Sequence, residues 1–413
     1  MLSQSYSRLV FLGLAAIIPL AAYLGWNSRE PWGTLLLAGV PLTFLLLDAL
    51  GGWRHPRARF PLTLAAFLLA AAGATALSRY PYGSILAVLP LAAGAAGFTL
   101  ARNHGRPRPR QQLMAAVMTF TSALLALDAL RQVPAVENLE LGVGSTFIWK
   151  NALAGWLAIA TPVALHLAAT ARGRLLRWLS AGAVAVMAGA LFYTASQAGW
   201  LAAGFGLAIV IGAQWWLHLR PPWPTVRLTL ASGVLALAVI SVFWRLNGWL
   251  ATAGHRTAPA VARIASVIPE STSTRLGYWE TSLRLIADFP WFGVGPGNFA
   301  SWYTHYFREP WLYTISPHSI AVLLATTFGI PAAVLFFSFI AQTLGRTVRW
   351  LRRERSLGAP AETSPWAIGW AGAVVAGLTH GLLDLSLEVP AMMVTWWLGL
   401  GFWYAAMDTD EDN

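Results

Sequence analysis

Two side chains suited to acid–base and phosphate chemistry fall within one stretch, residues 274–330 of the 413-residue chain. Arg275 opens an amphipathic helical pattern, and His318 follows Ser316-Pro317 at the start of a hydrophobic run. A planar guanidinium suits bidentate recognition of phosphate. A neutral imidazole at a helix start, where free N–H groups and a positive dipole end attract anions, can take the proton of an attacking hydroxyl. Plainer readings stand beside these. His318 can be an interfacial imidazole that only hydrogen-bonds a neighbouring loop, and Arg275 can serve a lipid headgroup or a surface ion pair. A cation and a titratable base held together at a bilayer surface point to chemistry on an anionic, lipid-borne substrate.

Other candidate substrate contacts are scattered along the chain. Arg284 lies four residues before Asp288, the spacing at which helix neighbours pair with each other. His380 and Asp384 share that spacing, hence one helix face, at the end of an apolar run where ionisable groups are costly and usually functional. Asp384 can orient a histidine or bind a sugar hydroxyl, and a structural His–Asp pair fits as well. Lys150, the only lysine, and Asn151 open a further run, with a snorkelling interface lysine as the alternative. Gln197 sits in the turn before Trp200 and carries little signal by itself. The run Gly293-Val294-Gly295-Pro296-Gly297-Asn298-Phe299 has the glycine density of a phosphate cradle but matches neither a dinucleotide fingerprint nor a P-loop, so a tight re-entry turn is the simpler reading. Glu137, Glu140, Glu270, Glu280, Asp288 and Glu309 form no metal-ligand pattern, and no metal or cofactor is expected. Trp302, Tyr303, Tyr306, Trp311 and Tyr313 offer aromatic faces on which sugar rings can stack.

The elements that must position these groups lie in lipid. The chain is 57% hydrophobic and 11% charged, against about 25% charged in soluble domains. Apolar runs near the length of a bilayer core predict about twelve spans, at 9–25, 32–50, 60–78, 82–101, 112–130, 149–169, 176–194, 198–217, 226–246, 316–342, 365–386 and 389–407. The net charge of +11 is a topology signal and not a nucleic-acid footprint. Alternate short loops, with Arg8, hold 18 of the 28 basic residues, whereas the opposite loops hold only Arg29, Arg79, Arg131 and Lys150. The expectation is an all-α, multi-pass inner-membrane protein with both termini cytoplasmic. Its parts are nine spans over 1–246, one long outer loop over 247–315, three spans over 316–407 and a solvated acidic tail over 408–413. In the loop, Ser271, Thr272, Ser273 and Thr274 are N-cap candidates. Leu276, Trp279, Leu283 and Ile286 are the expected buried stripe, opposite Arg275, Glu280 and Arg284. The absence of cysteine excludes a disulfide framework.

Taken in order, these pieces resemble the O-antigen ligase and polymerase superfamily. The resemblance rests on Arg275-Leu276-Gly277-Tyr278-Trp279, on Pro290-Trp291-Phe292-Gly293-Val294-Gly295-Pro296-Gly297-Asn298-Phe299, and on Pro317-His318-Ser319. Phe147-Ile148-Trp149-Lys150-Asn151-Ala152-Leu153-Ala154 resembles the family's Asn-x-Leu-Ala helix start, and Asp384 falls where the family tends to have an Asp. The likeness covers about residues 145–405, and the first four spans match only in hydropathy. It implies a GT-C-like fold with a periplasmic catalytic loop. It implies a donor glycan on undecaprenyl pyrophosphate, transferred en bloc and with inversion to a lipid or glycan acceptor, without metal or nucleotide sugar. His318 is then the general base, and Arg275 holds the departing pyrophosphate. Two positions depart from the family pattern. Gln197 follows Ser196 where the family often has a second pyrophosphate-binding Arg, and Ser319 follows His318 in place of Asn. One lost charge-assisted contact costs roughly 1.5–3 kcal/mol, unless Lys150, Arg245 or Arg284 substitutes.

A carrier is the other class of function to weigh, because the stretch from Asp48 to Arg57 resembles a loop of facilitator transporters. Those carriers keep their long loop in the cytoplasm between two six-span halves. Here it is late and external, with no similarity between halves.

Overall fold

The computed structural model describes residues 2–50, 60–133, 142–217, 260–307, 314–357 and 366–408. Every regular element among them is helical. Nine of the described helices are long and apolar enough to cross a membrane, as expected of a polytopic membrane protein. Eight of the relevant helices precede the cap: α1 (Leu2–Leu24), α2 (Pro31–Leu50), α3 (Leu62–Ala76), α4 (Pro81–His104), α5 (Arg108–Gln132), α6 (Lys150–Thr170), α7 (Arg174–Tyr193) and α8 (Gln197–Trp216). A cap follows, made of α9 (Ala260–Asp288) and the short α10 (Phe299–Tyr303). The chain ends in α11 (Ile320–Phe328), α12 (Ile330–Ser356), α13 (Trp366–Leu383) and α14 (Pro390–Asp408). The expected span at 226–246, the basic loops with Arg54, Arg57, Arg59, Arg220 and Arg227, and Arg245, Glu137, Glu140, Glu309, Trp311 and Tyr313 lie outside the described residues.

Two expected spans take another form. The one at 60–78 is α3, a 15-residue helix of roughly 22 Å, shorter than a bilayer core of about 30 Å. The one at 316–342 is broken in two at Gly329, which has φ +89°. The break exists because the glycine-rich turn docks into it. Val294 N–H donates to Thr326 O (2.9 Å), Gly295 N–H to Thr327 O (3.0 Å) and Ile330 N–H to Pro290 O (2.8 Å), so the turn satisfies carbonyls at the end of α11. A Cβ on Gly293 would lie 2.5 Å from Thr326 O, and one on Gly329 2.2 Å from Trp291 O. The turn is therefore a packing joint, tied to α4 by Asn298, whose amide donates to Ser78 Oγ at 2.8 Å and Ser84 Oγ at 3.1 Å.

The centre of the bundle is α14, buried along almost its whole length and packed chiefly on α4 and α13. In turn, α13 lies against α6 and α8. At the end of α14, Asp408 is only 4% exposed. Arg102 Nε donates to it at 2.7 Å, Arg346 pairs with its other oxygen, and Arg106 stands 3.9 Å away. Asp408 thus belongs to a buried ion cluster that clamps α4, α12 and α14, and not to a solvated tail; residues 409–413 lie outside the described ones.

The cap helix corrects two further expectations. It begins at Ala260, so residues 271–274 are interior to it and do not cap it. Its inward face is one residue out of step with the expected stripe. Ser282 and Leu285 are buried, and Tyr278 and Phe289 pack on the cluster of Leu285, Val294, Phe299 and Tyr303. Leu276 and Leu283 stay 56% and 62% exposed. The 275–278–282–285–289 spacing carries Arg275 toward the protein. In a bilayer an apolar side chain needs no protein cover, so the most hydrophobic stripe does not mark the buried face.

Candidate active site

Four chain segments meet on one carboxylate. Asp384 follows the last turn of α13, where its N–H donates to His380 O at 2.8 Å, and its side chain is fully buried. Oδ2 accepts from Arg275 Nη2 of α9 at 2.6 Å and from Asn151 Nδ2, in the first turn of α6, at 2.8 Å. Oδ1 accepts from Leu385 N–H at 2.7 Å and faces His318 Nδ1 at 3.5 Å, a long contact of the kind that tightens when substrate binds. Burial alone would raise the Asp384 pKa. The facing His318 and the charges of His380 and Arg275 outweigh it and hold the carboxyl below its ordinary value.

Above this sealed carboxylate the two reactive groups reach the surface. The side chains of Arg275 and His318 are 27% and 24% exposed. With Nδ1 turned to Asp384, the tautomer that carries its proton there leaves the Nε2 lone pair free. Arg275 spends one nitrogen on Asp384 and keeps further N–H donors for an anion.

His318 is held in an unusual backbone conformation, φ +53°, which costs a non-glycine residue on the order of 1–3 kcal/mol. Both sides of its loop are clamped. From α9, the Tyr278 ring stacks on the imidazole at 5.8 Å and Trp279 Nε1 donates to Pro317 O at 2.9 Å. From below, Ser316 Oγ accepts from His318 N–H at 3.1 Å and donates to Glu388 Oε1. Glu388 closes a short 3₁₀ turn, Ser386–Glu388. Burial pushes its carboxyl up to about 7, against the lowering effects of the Ser316 hydrogen bond and of Arg29 and His318.

Of the residues singled out from sequence, His318, Arg275, Asn151 and Asp384 are brought together. His380 lies one layer deeper, fully buried, with Nδ1 2.8 Å from Ser386 Oγ, so the structural alternative describes its contacts. The close approach of α6 at this point requires Gly155, where a Cβ would sit 3.0 Å from His380 Nδ1. Lys150 packs its stem on Gly142, and Gln197 stands half-buried beside Ser196, the N-cap of α8. No described contact links either to Asp384. Arg284 pairs with Glu280 at 2.6 Å on the outer face of α9 and not with Asp288, which accepts from Tyr306 Oη at 2.6 Å. Tyr303 is fully buried in the cap core and offers no face to a sugar. Among the described residues, no three His, Asp or Glu side chains converge as a metal site requires.

Sequence reasoning passed over Ser316 and Glu388. The signal is present, because Glu388 lies with Asp384 in the short segment between two apolar runs, where an ionisable group points to function.

The family model described as O-antigen ligase matches residues 182–337, from within α7 through Arg275, the glycine-rich turn and His318 into α12. That match supports the resemblance to the O-antigen ligase superfamily and includes two of the four residues that converge; Asn151 and Asp384 lie outside it. No curated protein matches the chain.

Proposed function

We propose that the protein is a membrane glycosyltransferase of O-antigen ligase type, which moves a glycan en bloc from undecaprenyl pyrophosphate to an acceptor hydroxyl on the periplasmic side. The observation that carries this reading is the pairing of His318 and Arg275 on one buried carboxylate. It gives a base and a cation a fixed separation at the surface of a membrane-embedded bundle.

In the proposed step the acceptor hydroxyl gives its proton to His318 Nε2 as its oxygen attacks C1 of the donor glycan. The C1–O bond to pyrophosphate breaks, its electron pair leaves on the pyrophosphate oxygen, and the free donors of Arg275 stabilise that charge. Attack from the face opposite the leaving group inverts C1. Asp384 stays ionised, steadies the imidazolium that forms and holds Arg275 in register. Nothing in this step needs a metal or a nucleotide.

A polymerase performs the same displacement with another lipid-linked repeat as acceptor. Deleting the gene and analysing the host's glycan pool by gel and mass spectrometry separates the two. Long chains stranded on undecaprenyl pyrophosphate identify a ligase, and single repeats on a normal acceptor identify a polymerase. Complementation with His318→Ala should leave the deletion phenotype intact, a loss of roughly 10²–10⁴ in rate. Full rescue by His318→Ala would remove that residue from the base role, and substrate flux in proteoliposomes without glycan product would point to a carrier.

A further inference from the structure

Behind the His318 loop, on the side away from α9, lies a cavity of about 360 Å³, within the range of small-molecule sites. Its walls come from α2, α3, α4, α10, α11, α12, α14 and the glycine-rich turn. They are mostly apolar, with Leu86, Leu324 and Trp396 among them, and no residue of α9 contributes. Ile315 and Ile320, which flank the loop that carries His318, also line it.

Two charged side chains border this apolar space, Arg29 and Glu388. The Arg29 guanidinium lies over the Trp26 ring at 4.6 Å, and its buried Nη1 has no hydrogen-bond partner. A buried unpaired donor is costly, and an anionic oxygen from a ligand would satisfy it. Glu388 on the same wall spends one oxygen on Ser316. A cation at the edge of a hydrocarbon-lined cavity is the pattern of an anionic amphiphile site. A free phosphate would use Arg29 and leave the walls bare.

We propose that this cavity binds a hydrocarbon chain of a phosphate-bearing lipid, with the phosphate held by Arg29, and that the lipid is the acceptor side of the reaction. The assignment to the acceptor rests on the transfer reading above. Arg275 offers its charge from α9, whereas Arg29 offers a second one from the far side of the loop, so two lipids flank His318.

Photolabelling of the purified full chain in detergent tests this independently of transfer. The probes are phosphatidic acid with a diazirine in one acyl chain, the uncharged diacylglycerol with the same chain, and a diazirine-bearing prenyl pyrophosphate, with labelled residues mapped by mass spectrometry. The expected result is labelling of Leu86, Leu324 or their neighbours by phosphatidic acid, at least tenfold above diacylglycerol. Arg29→Gln and Leu86→Trp should each reduce it at least tenfold. If Leu86→Trp fails to fold by thermal melting, Arg29→Gln carries the test. Equal labelling by diacylglycerol, labels confined to lipid-facing helix surfaces, or complete displacement by inorganic phosphate would each overturn the site. Preferential labelling by the prenyl probe would make it a donor site and overturn the acceptor assignment. Since His318→Ala should keep full labelling, failure of the transfer reading and failure of this one give different results.

Discussion

Arg275 donates to Asp384 at 2.6 Å across 109 positions of sequence, and this contact joins the cap to the transmembrane bundle. Asp384 also takes Asn151, Leu385 N–H and the facing His318, so one carboxylate sets the positions of the cation and the base together.

Asp384→Asn should therefore affect both at once. The amide has one acceptor oxygen for the four donors that now converge, and at least one donor must face an NH₂ group. Breaking a buried pair this way costs about 3–5 kcal/mol, and loss of a carboxylate that orients a catalytic histidine costs up to about 10⁴ in rate. Thermal melting and a transfer assay measure the two. Because the Asp384 pKa lies below its ordinary value, its contribution to stability is complete above the usual carboxylate range and is lost as pH falls below about 4. The Asn variant should lack that acid-dependent part, and an identical acid profile in both proteins would count against the pairing.

Glu388 has the opposite sign. Its carboxyl is raised to about 7, so the folded state holds a proton that the unfolded chain has already released. Stability then falls as pH rises from the ordinary glutamate range to about 7, by on the order of 3 kcal/mol. Glu388→Gln keeps an acceptor for Ser316 Oγ and removes the ionisation. Its melting temperature should change less between pH 5 and pH 8 than that of the wild type. An unaltered slope would show that another group titrates.

The sequence made the polar half of the site legible and the packing half illegible, for physical reasons. His318, Asn151 and Asp384 stand out because charged and amide groups are rare at the ends of apolar runs, and Arg275 stands out as the cation that opens the amphipathic pattern of the outer loop. The inward face of α9 was misread because Leu276 and Leu283 answer to surroundings that need not be protein. The break at Gly329 is hidden in the sequence because residues 320–341 run on without a charged residue, and only the docked glycine turn, distant in sequence, shows why a glycine is needed there. Asp408 looked like tail because its neighbours in sequence are acidic, whereas its partners Arg102 and Arg346 come from other helices.

That joint gives a stability prediction. Gly329→Ala places a methyl group 2.2 Å from Trp291 O at a residue with φ +89°. Both strain and clash act together, and neither neighbour is a flexible side-chain end. The variant should lose more than about 2 kcal/mol, with the glycine-rich turn released from α11. Limited proteolysis between α9 and α11 should speed up accordingly, and wild-type melting and proteolysis in Gly329→Ala would contradict the docking.

The side of the membrane on which His318 acts can be read chemically, because the chain has no cysteine and each introduced thiol is unique. Helix α12 has 27 residues, roughly 40 Å at 1.5 Å per residue, enough to carry the chain across a core of about 30 Å. Its first turn is tied to the cap through Pro290, and its last holds Arg353 and Arg355. Glu280, with a side chain 70% exposed on α9, and Leu357, 66% exposed beyond α12, therefore lie at opposite ends. Replacing Glu280 removes only a surface pair with Arg284, worth about 1 kcal/mol or less. In spheroplasts, a membrane-impermeant maleimide should label Glu280→Cys at once and Leu357→Cys only after permeabilisation. The positive-inside rule requires that order, since the arginines near Leu357 belong on the cytoplasmic side. The reverse order would turn the Asp384 site toward the cytoplasm, where a periplasmic transfer cannot occur.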